Sequence, residues 1–406
     1  MGKTVFLFPG QGSQFAGMGK QLYDKYSMVS KIYEEASDAL GYDLAALSFG
    51  ADENKLSNTE YTQPALLTLS YSMFRVYMQE IGNEPDYMAG HSLGEYTALA
   101  CSGAIPFVKA VTMVSHRGKI MQKAVPHGEG SMLVVRGISY SYLNHLCNLS
   151  GVMGKRGAEI ACYNSSEQFV VSGDTNSISC MERQIKQAGG ESISLRVSAP
   201  FHCHLMNRAA LDLNQELKKH TYHYLQYPIV SNVTSKPYKS ENDIIPLLTK
   251  QMTSTIKWYD SMLFLLAQGV DQFIELGPGQ VLGRLMKQIS KQSPAYLIEH
   301  IDNYKPKEPE ESEKLQVYVQ IIDACLANAV STENINLDDD YTNFVFPPYE
   351  KLKRMKDEAD KETGSNLRQR GIESIELLKA ILFFKKVNVL EVESRLAPIQ
   401  RSLSQL

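Results

Sequence analysis

Along the first 125 residues, short unbroken apolar runs alternate with stretches whose apolar positions recur every three or four residues. Thr4–Phe8 is one such run and ends in the turn-rich Pro9-Gly10-Gln11-Gly12-Ser13-Gln14. Helical spacing covers Met18–Leu40 and Pro64–Met78, a strand signal covers Pro85–Gly90, and further helices are predicted over Leu93–Ala100 and Pro106–Met121. Buried strands read as continuous apolar runs, so the alternation predicts an α/β layer with a mostly parallel sheet. Residues 127–200 change period, with strand signals in Ser131–Val135, twice within Glu159–Ser172, and in Ser192–Val197. Helices at Tyr142–Leu149 and Ile178–Ala188 complete a βαββαβ order, which predicts a small ferredoxin-like subdomain. The α/β signals resume from Phe201 to Ile289 and end in the strand and tight turn of Phe273-Ile274-Glu275-Leu276-Gly277-Pro278-Gly279. The expected plan is a large domain of 1–126 and 201–290, an insert of 127–200, a linker of 291–314 and a helical extension of 315–406. Within that extension, helices are predicted at Leu315–Ala329, Tyr349–Ala359 and Ile372–Phe384.

Composition narrows the class. With 406 residues, 43% of them apolar and 21% charged, the chain has the balance of a folded globular protein. A net charge of −4 gives no electrostatic footprint for a nucleic-acid backbone. No stretch approaches the roughly 18 apolar residues of a membrane helix. Met1-Gly2-Lys3 leads straight into a strand with no cleavage site, and Phe6 stands where a myristoylation signal needs Ser or Thr. The expectation is a soluble, cytoplasmic protein. Six scattered cysteines without a CxxC pair or metal-ligand spacing read as buried, reduced thiols, with no metal site.

The strongest chemical signal is Gly90-His91-Ser92-Leu93-Gly94, a G-x-S-x-G between a strand and a helix. That context describes a nucleophile elbow, in which glycines permit a tight turn that pushes Ser92 outward at a helix N-terminus. The Leu93 N–H then faces the oxygen of a tetrahedral intermediate. A serine hydroxyl needs a base. Among nine histidines, His202 and His204 lie where the insert hands back to the large domain, and the pattern leaves both open, beside a structural histidine. His91 adjoins the nucleophile, but neighbouring side chains in an elbow point elsewhere. Arg117, amid Val111, Val114 and Met121, reads either as a snorkelling or structurally paired side chain or as a bidentate clamp for a substrate carboxylate. The Pro9-Gly10-Gln11-Gly12 loop matches no nucleotide-binding fingerprint.

With these residues quoted, the chain resembles the malonyl-CoA:acyl carrier protein transacylases. The likeness runs in order through Phe8–Gln14, Thr62-Gln63-Pro64-Ala65, Gly90–Tyr96, His116-Arg117-Gly118 with Met121-Gln122, and Asn164-Ser165 with Gln168 and Val171-Ser172-Gly173. It continues through Phe201-His202 to Glu275–Gly279 and covers residues 1 to about 290. The resemblance implies an α/β-hydrolase-like domain carrying a ferredoxin-like insert. It also implies ping-pong transfer of malonyl from malonyl-CoA, through a Ser92 ester, to the phosphopantetheine thiol of a holo acyl carrier protein. In that scheme His202 is the general base, oriented by the backbone carbonyl at Gln251 without an acidic third member. The backbone N–H groups of Gln11 and Leu93 form the oxyanion hole, and Arg117 binds the malonyl carboxylate. Gln63, His91, Met121 and Phe201 fall in the substrate pocket. No metal or redox cofactor is implied. Ser254-Thr255-Ile256 departs from the usual Asn-Pro after the Gln251 position, and Ser166 replaces a usual Pro. Phe201 would crowd an extra methyl by about 1–3 kcal/mol, which favours malonyl over methylmalonyl.

The extension resembles, more weakly, that of free-standing transacylases serving polyketide synthases, chiefly through Phe346-Pro347-Pro348-Tyr349-Glu350-Lys351-Leu352. This points to a trans-acting polyketide enzyme, with a housekeeping fatty-acid transacylase as the alternative. Gly371-Ile372-Glu373-Ser374-Ile375 faintly resembles a carrier-protein phosphopantetheine site, but lacks the usual Asp before Ser and reads as a helix-surface serine. The other rivals are an acyl hydrolase clearing stalled chains from carrier proteins, a non-catalytic scaffold and a lipase-type esterase. Arg117 argues against the hydrolase and the esterase, and an intact Ser92–His202–Arg117 set argues against the scaffold. Acidic carrier helices would meet local Lys and Arg clusters.

Overall fold

The computed structural model describes residues 2–50, 52–126, 128–151, 157–195, 197, 199–290, 295–297, 311–331, 344–359 and 366–403. Contacts divide the chain into two units, Gly2–Tyr304 and a unit that holds Lys305–Leu406.

The first unit is built on a parallel five-stranded sheet. Its strands are β1 (Lys3–Phe8), β2 (Tyr87–Gly90), β7 (Ile229–Val230), β8 (Val270–Glu275) and β9 (Ala295–Leu297), in the order β7-β2-β1-β8-β9. Val5 to Phe8 are wholly buried, as a strand covered on both faces requires. The chain passes from β1 to β2 on one side and later returns to β8 on the other. That reversal opens a crevice at the strands' carboxyl ends, where ligands bind in such sheets. A 22-residue helix, Thr59–Glu80, crosses the layer and starts five residues before the expected Pro64. Pro64 sits in its second turn, where its missing N–H deprives one carbonyl of a donor, while Thr62 Oγ1 bonds the Leu56 and Asn58 carbonyls at 2.5 and 3.0 Å.

The insert carries β3 (Gly130–Arg136), β4 (Ala158–Ser165), β5 (Gln168–Asp174) and β6 (Glu191–Ser194) in an antiparallel sheet ordered β4-β5-β3-β6. This is the ferredoxin-like arrangement. Its core is separate: Leu133, Val135, Leu143, Phe169, Val171 and Ile185 pack against one another. Strand β4 joins the insert to the 255–256 segment of the large domain. The Ile256 N–H donates to Ala161 O at 2.8 Å, Tyr163 N–H to Ile256 O at 2.9 Å, and Thr255 Oγ1 to Ile160 O at 2.6 Å.

Within the stretch expected to be a linker, Ala295–Leu297 is the edge strand β9, paired with β8. Three residues are too few to register as a periodic signal. Residues 291–294 and 298–310 of that stretch lie outside the described residues, and its last four residues already belong to the helix Glu311–Ser331. Among the described residues the second unit holds four helices, Glu311–Ser331, Phe346–Asp357, Leu367–Phe384 and Val389–Leu403, the last not anticipated. Ile321, Cys325, Leu352, Ile375, Leu378 and Leu382 form its core. Ser374 is buried within it rather than on the surface, and its hydroxyl bonds the Arg370 carbonyl at 2.9 Å. All six cysteines are free, and five are buried; Cys180 is exposed. Among the described residues no helix is long and apolar enough to cross a membrane.

Candidate active site

Ser92 stands between β2 and the Leu93–Cys101 helix with φ 51° and ψ −99°, a conformation rare for a residue with a side chain. Such strain costs about 1–3 kcal/mol and persists only where neighbours enforce it. Here both peptide groups of Ser92 are gripped by side-chain amides. Its N–H donates to Asn232 Oδ1 at 2.8 Å, and its carbonyl accepts from Gln251 Nε2 at 3.0 Å. Asn232 Nδ2 in turn donates to Gly90 O at 2.7 Å. The flanking glycines are steric requirements: a Cβ on Gly94 would lie 1.9 Å from Phe8 O, and one on Gly90 would lie 1.9 Å from the Gly94 carbonyl carbon. The elbow is therefore packed directly onto the end of β1.

His202 lies at φ 61°, also left-handed, on the segment leaving the insert. Glu159 on β4 braces this loop, accepting from the His204 N–H at 2.6 Å and facing His204 Nδ1 at 3.1 Å. The Cys203 Sγ, His204 and Glu159 donor atoms lie within 4.8 Å of one another, a grouping that linear spacing did not disclose. His204 is thus occupied by Glu159, whereas His202 Nε2 lies 2.8 Å from Ser92 Oγ. His202 Nδ1 is 2.8 Å from the Gln251 carbonyl. That carbonyl can only accept, so the proton sits on Nδ1 and the Nε2 lone pair faces the hydroxyl. Burial, and then the Arg117 charge, push the imidazole down to about 3, which keeps it neutral.

Arg117 comes from the Phe107–Gln122 helix, which closes on the Thr59–Glu80 helix because Gly118 has no side chain. A Cβ there would lie 2.6 Å from Thr59 O. The guanidinium is buried and donates from Nη1 to Gln63 Oε1 at 2.9 Å, and from Nη2 to Gln251 Oε1 at 3.0 Å and Ser92 Oγ at 3.1 Å. Every one of these partners is neutral, and Nε has no partner among the described residues. Desolvation lowers the guanidinium pKa. Gln63 Nε2 lies 3.5 Å from Met121 Sδ. A cavity of about 680 Å³ opens on His202, lined also by Glu159, Tyr140, Val233, Lys250 and Lys257. The set can deliver a serine oxygen, accept its proton and hold an anion close by.

Residues 5–322 match the acyl transferase domain family. The chain belongs to that family. This acyltransferase is 34% identical over 366 residues to a malonyl CoA-acyl carrier protein transacylase of Bacillus subtilis, covering 89% of this chain and 91% of the relative. The Escherichia coli K12 protein of the same name is 40% identical over 290 residues, covering 71% and 93% respectively. Two solved structures superpose closely. The malonyl CoA-acyl carrier protein transacylase of Coxiella burnetii gives a TM-score of 0.72 at 36% identity, covering 74% of this chain and 95% of that one. A malonyl-transacylase in complex with its type II polyketide synthase acyl-carrier protein gives 0.71 at 38% identity, covering 73% and 96%.

Of the residues singled out in the acyltransferase sequence, the structure gathers Ser92, His202, Arg117, Gln63, Met121 and Gln251 into one connected network. Leu93 opens the helix after Ser92, where first-turn N–H groups lack intrahelical partners. Gln11 follows β1, its side chain donating to Thr59 Oγ1 at 3.1 Å. Phe201 is buried beside His202. The His91 ring has Nε2 2.9 Å from Asn164 Oδ1 and lies 5.5 Å from Trp258, and it is among the groups that lower the His202 pKa. Asn232, Glu95 and Tyr238 were not anticipated as site residues. The available signal for Asn232 was the polar pair Ser231-Asn232 after the short apolar run Ile229-Val230, at the carboxyl end of the strand beside β2.

Proposed function

We propose that the chain transfers malonyl from malonyl-CoA to the phosphopantetheine thiol of a holo acyl carrier protein. The observation that carries this reading is Arg117, a buried cation whose hydrogen-bond partners are all neutral and which lies 3.1 Å from Ser92 Oγ. A neutral acyl group would leave that charge with no anion in direct contact, at a cost of a few kcal/mol. The malonyl carboxylate supplies the missing anion and places the thioester carbon over Ser92. Its Oγ attacks, His202 Nε2 takes the hydroxyl proton, and the Gln11 and Leu93 N–H groups receive the developing oxyanion. The thioester C–S bond breaks and CoA leaves as the thiol with the proton from His202. A carrier thiol then gives its proton to His202, attacks the ester and regenerates Ser92. Arg117 is the second cause of the low His202 pKa. A bound malonyl carboxylate offsets that charge, so the substrate itself raises the basicity of His202. The cavity beside His202, with Lys250 and Lys257 among its lining residues, gives room for a phosphate-bearing pantetheine arm.

The finer reading is supply of malonyl in trans to a polyketide synthase, in the cytoplasm. One observation supports it: a structural neighbour is bound to its type II polyketide synthase acyl-carrier protein.

The test is intact-protein mass spectrometry after brief exposure to malonyl-CoA or acetyl-CoA, followed by holo carrier proteins from a polyketide and a fatty-acid synthase. A malonyl adduct that is absent in Ser92→Ala and moves to the carrier supports the transferase. An adduct released to water with the carrier unloaded makes the protein a hydrolase. Equal loading of both carriers favours the housekeeping role.

A further inference from the structure

The Gln251 side chain bridges two buried charges. Its Oε1 accepts from Arg117 Nη2 at 3.0 Å, and its Nε2 donates to Glu95 Oε2 at 2.6 Å. Arg117 offers only donors and an ionised Glu95 only acceptors, so the amide has one satisfied orientation. Glu95, in the first turn of the helix after Ser92, is 1% exposed. It also accepts from Tyr238 OH at 2.6 Å and from the Asn232 N–H at 3.3 Å. Both residues whose amides grip Ser92 are therefore tied to this one carboxylate, Gln251 through its side chain and Asn232 through its backbone N–H.

We propose that Glu95 is the resident counter-charge of the Arg117 clamp, relayed through the Gln251 amide, and that it moderates how strongly the site favours a carboxylated acyl group. The inference rests on the reading of Arg117 given above. Glu95 acts through Gln251 and Asn232 and so is a positioning residue. An ionised Glu95 partly neutralises the guanidinium and weakens its hold on malonyl; a neutral residue there strengthens it. Burial pushes the Glu95 carboxyl up to about 7, with Tyr238, Gln251 and Asn232 opposing the rise. The titratable or charged groups that interact with it are Tyr238, Tyr96 and Arg117. The moderation is thus present above about pH 7 and fades as pH falls through it.

Glu95→Gln tests the charge alone. The amide oxygen can face Gln251 and Asn232 while its NH2 donates to the Tyr238 hydroxyl. In the full-length protein this variant is expected to raise the malonyl-over-acetyl ratio of kcat/KM by about tenfold, given the effective dielectric of a protein interior. In wild type, KM for malonyl-CoA should fall as pH drops through about 7. Glu95→Gln should be flat, with acetyl-CoA correcting for ionisation of CoA itself. Glu95→Ala removes the anchor and should lower kcat for both substrates by about tenfold, a loss that Glu95→Gln rescues. An unchanged ratio and unchanged pH dependence in Glu95→Gln overturn the inference. Arg117→Ala separates the two claims. If it leaves malonyl preference intact, the clamp reading itself fails; if it abolishes preference while Glu95→Gln behaves as wild type, only the role of Glu95 falls.

Discussion

The two units bury different chemistry. Around Ser92 the first unit sequesters Gln63, Glu95, Arg117, His202, Asn232 and Gln251, each with hydrogen-bond partners in a single network. In the second unit the buried polar side-chain groups among the described residues are few, Ser374, Lys385 and the Tyr318 hydroxyl, with Lys385 donating to the Ala329 carbonyl at 2.7 Å. Burying a polar group costs free energy unless it is paired. Where an interior nonetheless concentrates such groups, as around Ser92, the return is preorganised chemistry rather than stability. The helical unit follows the opposite rule. Its leucines and isoleucines supply cohesion, and among its described residues no comparable polar network is present.

The largest expected effect breaks the first side of that contrast. Arg117→Ala removes the buried cation, and malonyl loading of Ser92 is expected to fall by about a hundredfold or more, with preference moving towards acetyl, as the few kcal/mol attached to an uncompensated buried charge require. Rates of adduct formation with the two CoA esters measure it. Loss of both activities in equal proportion would mean that Arg117 braces Gln63 and Gln251 without selecting the substrate.

Legibility in the sequence followed the same divide. The G-x-S-x-G elbow was readable because strand, turn and helix are contiguous, and because Gly90 and Gly94 are demanded by backbone contacts that only glycine allows. The insert was readable because period-two strands and amphipathic helices alternate within 70 residues or so. His202 and His204 could not be separated by pattern, since what separates them is a long-range contact: Glu159 of β4 holds one, and Ser92 the other. Asn232 and Tyr238 escaped notice for the same reason. Each reaches the elbow from more than 130 positions away in sequence, through hydrogen bonds that leave no local periodicity. The edge strand Ala295–Leu297 was missed because its order comes from pairing with β8, not from its own residues.

A smaller effect sharpens the second side of the contrast. Leu382 is wholly buried in the core of the helical unit, with Leu378 and Ile375 on the same helix. Leu382→Ala should destabilise that unit by about 2–5 kcal/mol through lost contacts and a residual cavity. Differential scanning calorimetry should show the loss, while malonyl loading of Ser92 stays at the wild-type rate. A fall in loading would show that the apolar unit contributes to catalysis and that the division of labour is false.

Ser374 provides the finest discrimination. Its hydroxyl bonds the Arg370 carbonyl one helical turn back, a bond that competes weakly with the helix's own hydrogen bonding. Ser374→Ala exchanges that bond for a better helix former, so stability should change by about 1 kcal/mol or less in either direction. The same position decides whether the extension could act as a carrier. A wholly buried hydroxyl cannot enter the site of a phosphopantetheinyl transferase, so wild-type protein incubated with such an enzyme and CoA should gain no mass. A phosphopantetheine adduct lost in Ser374→Ala would require the helix Leu367–Phe384 to open in solution, and would turn the cohesive unit into a second reacting one.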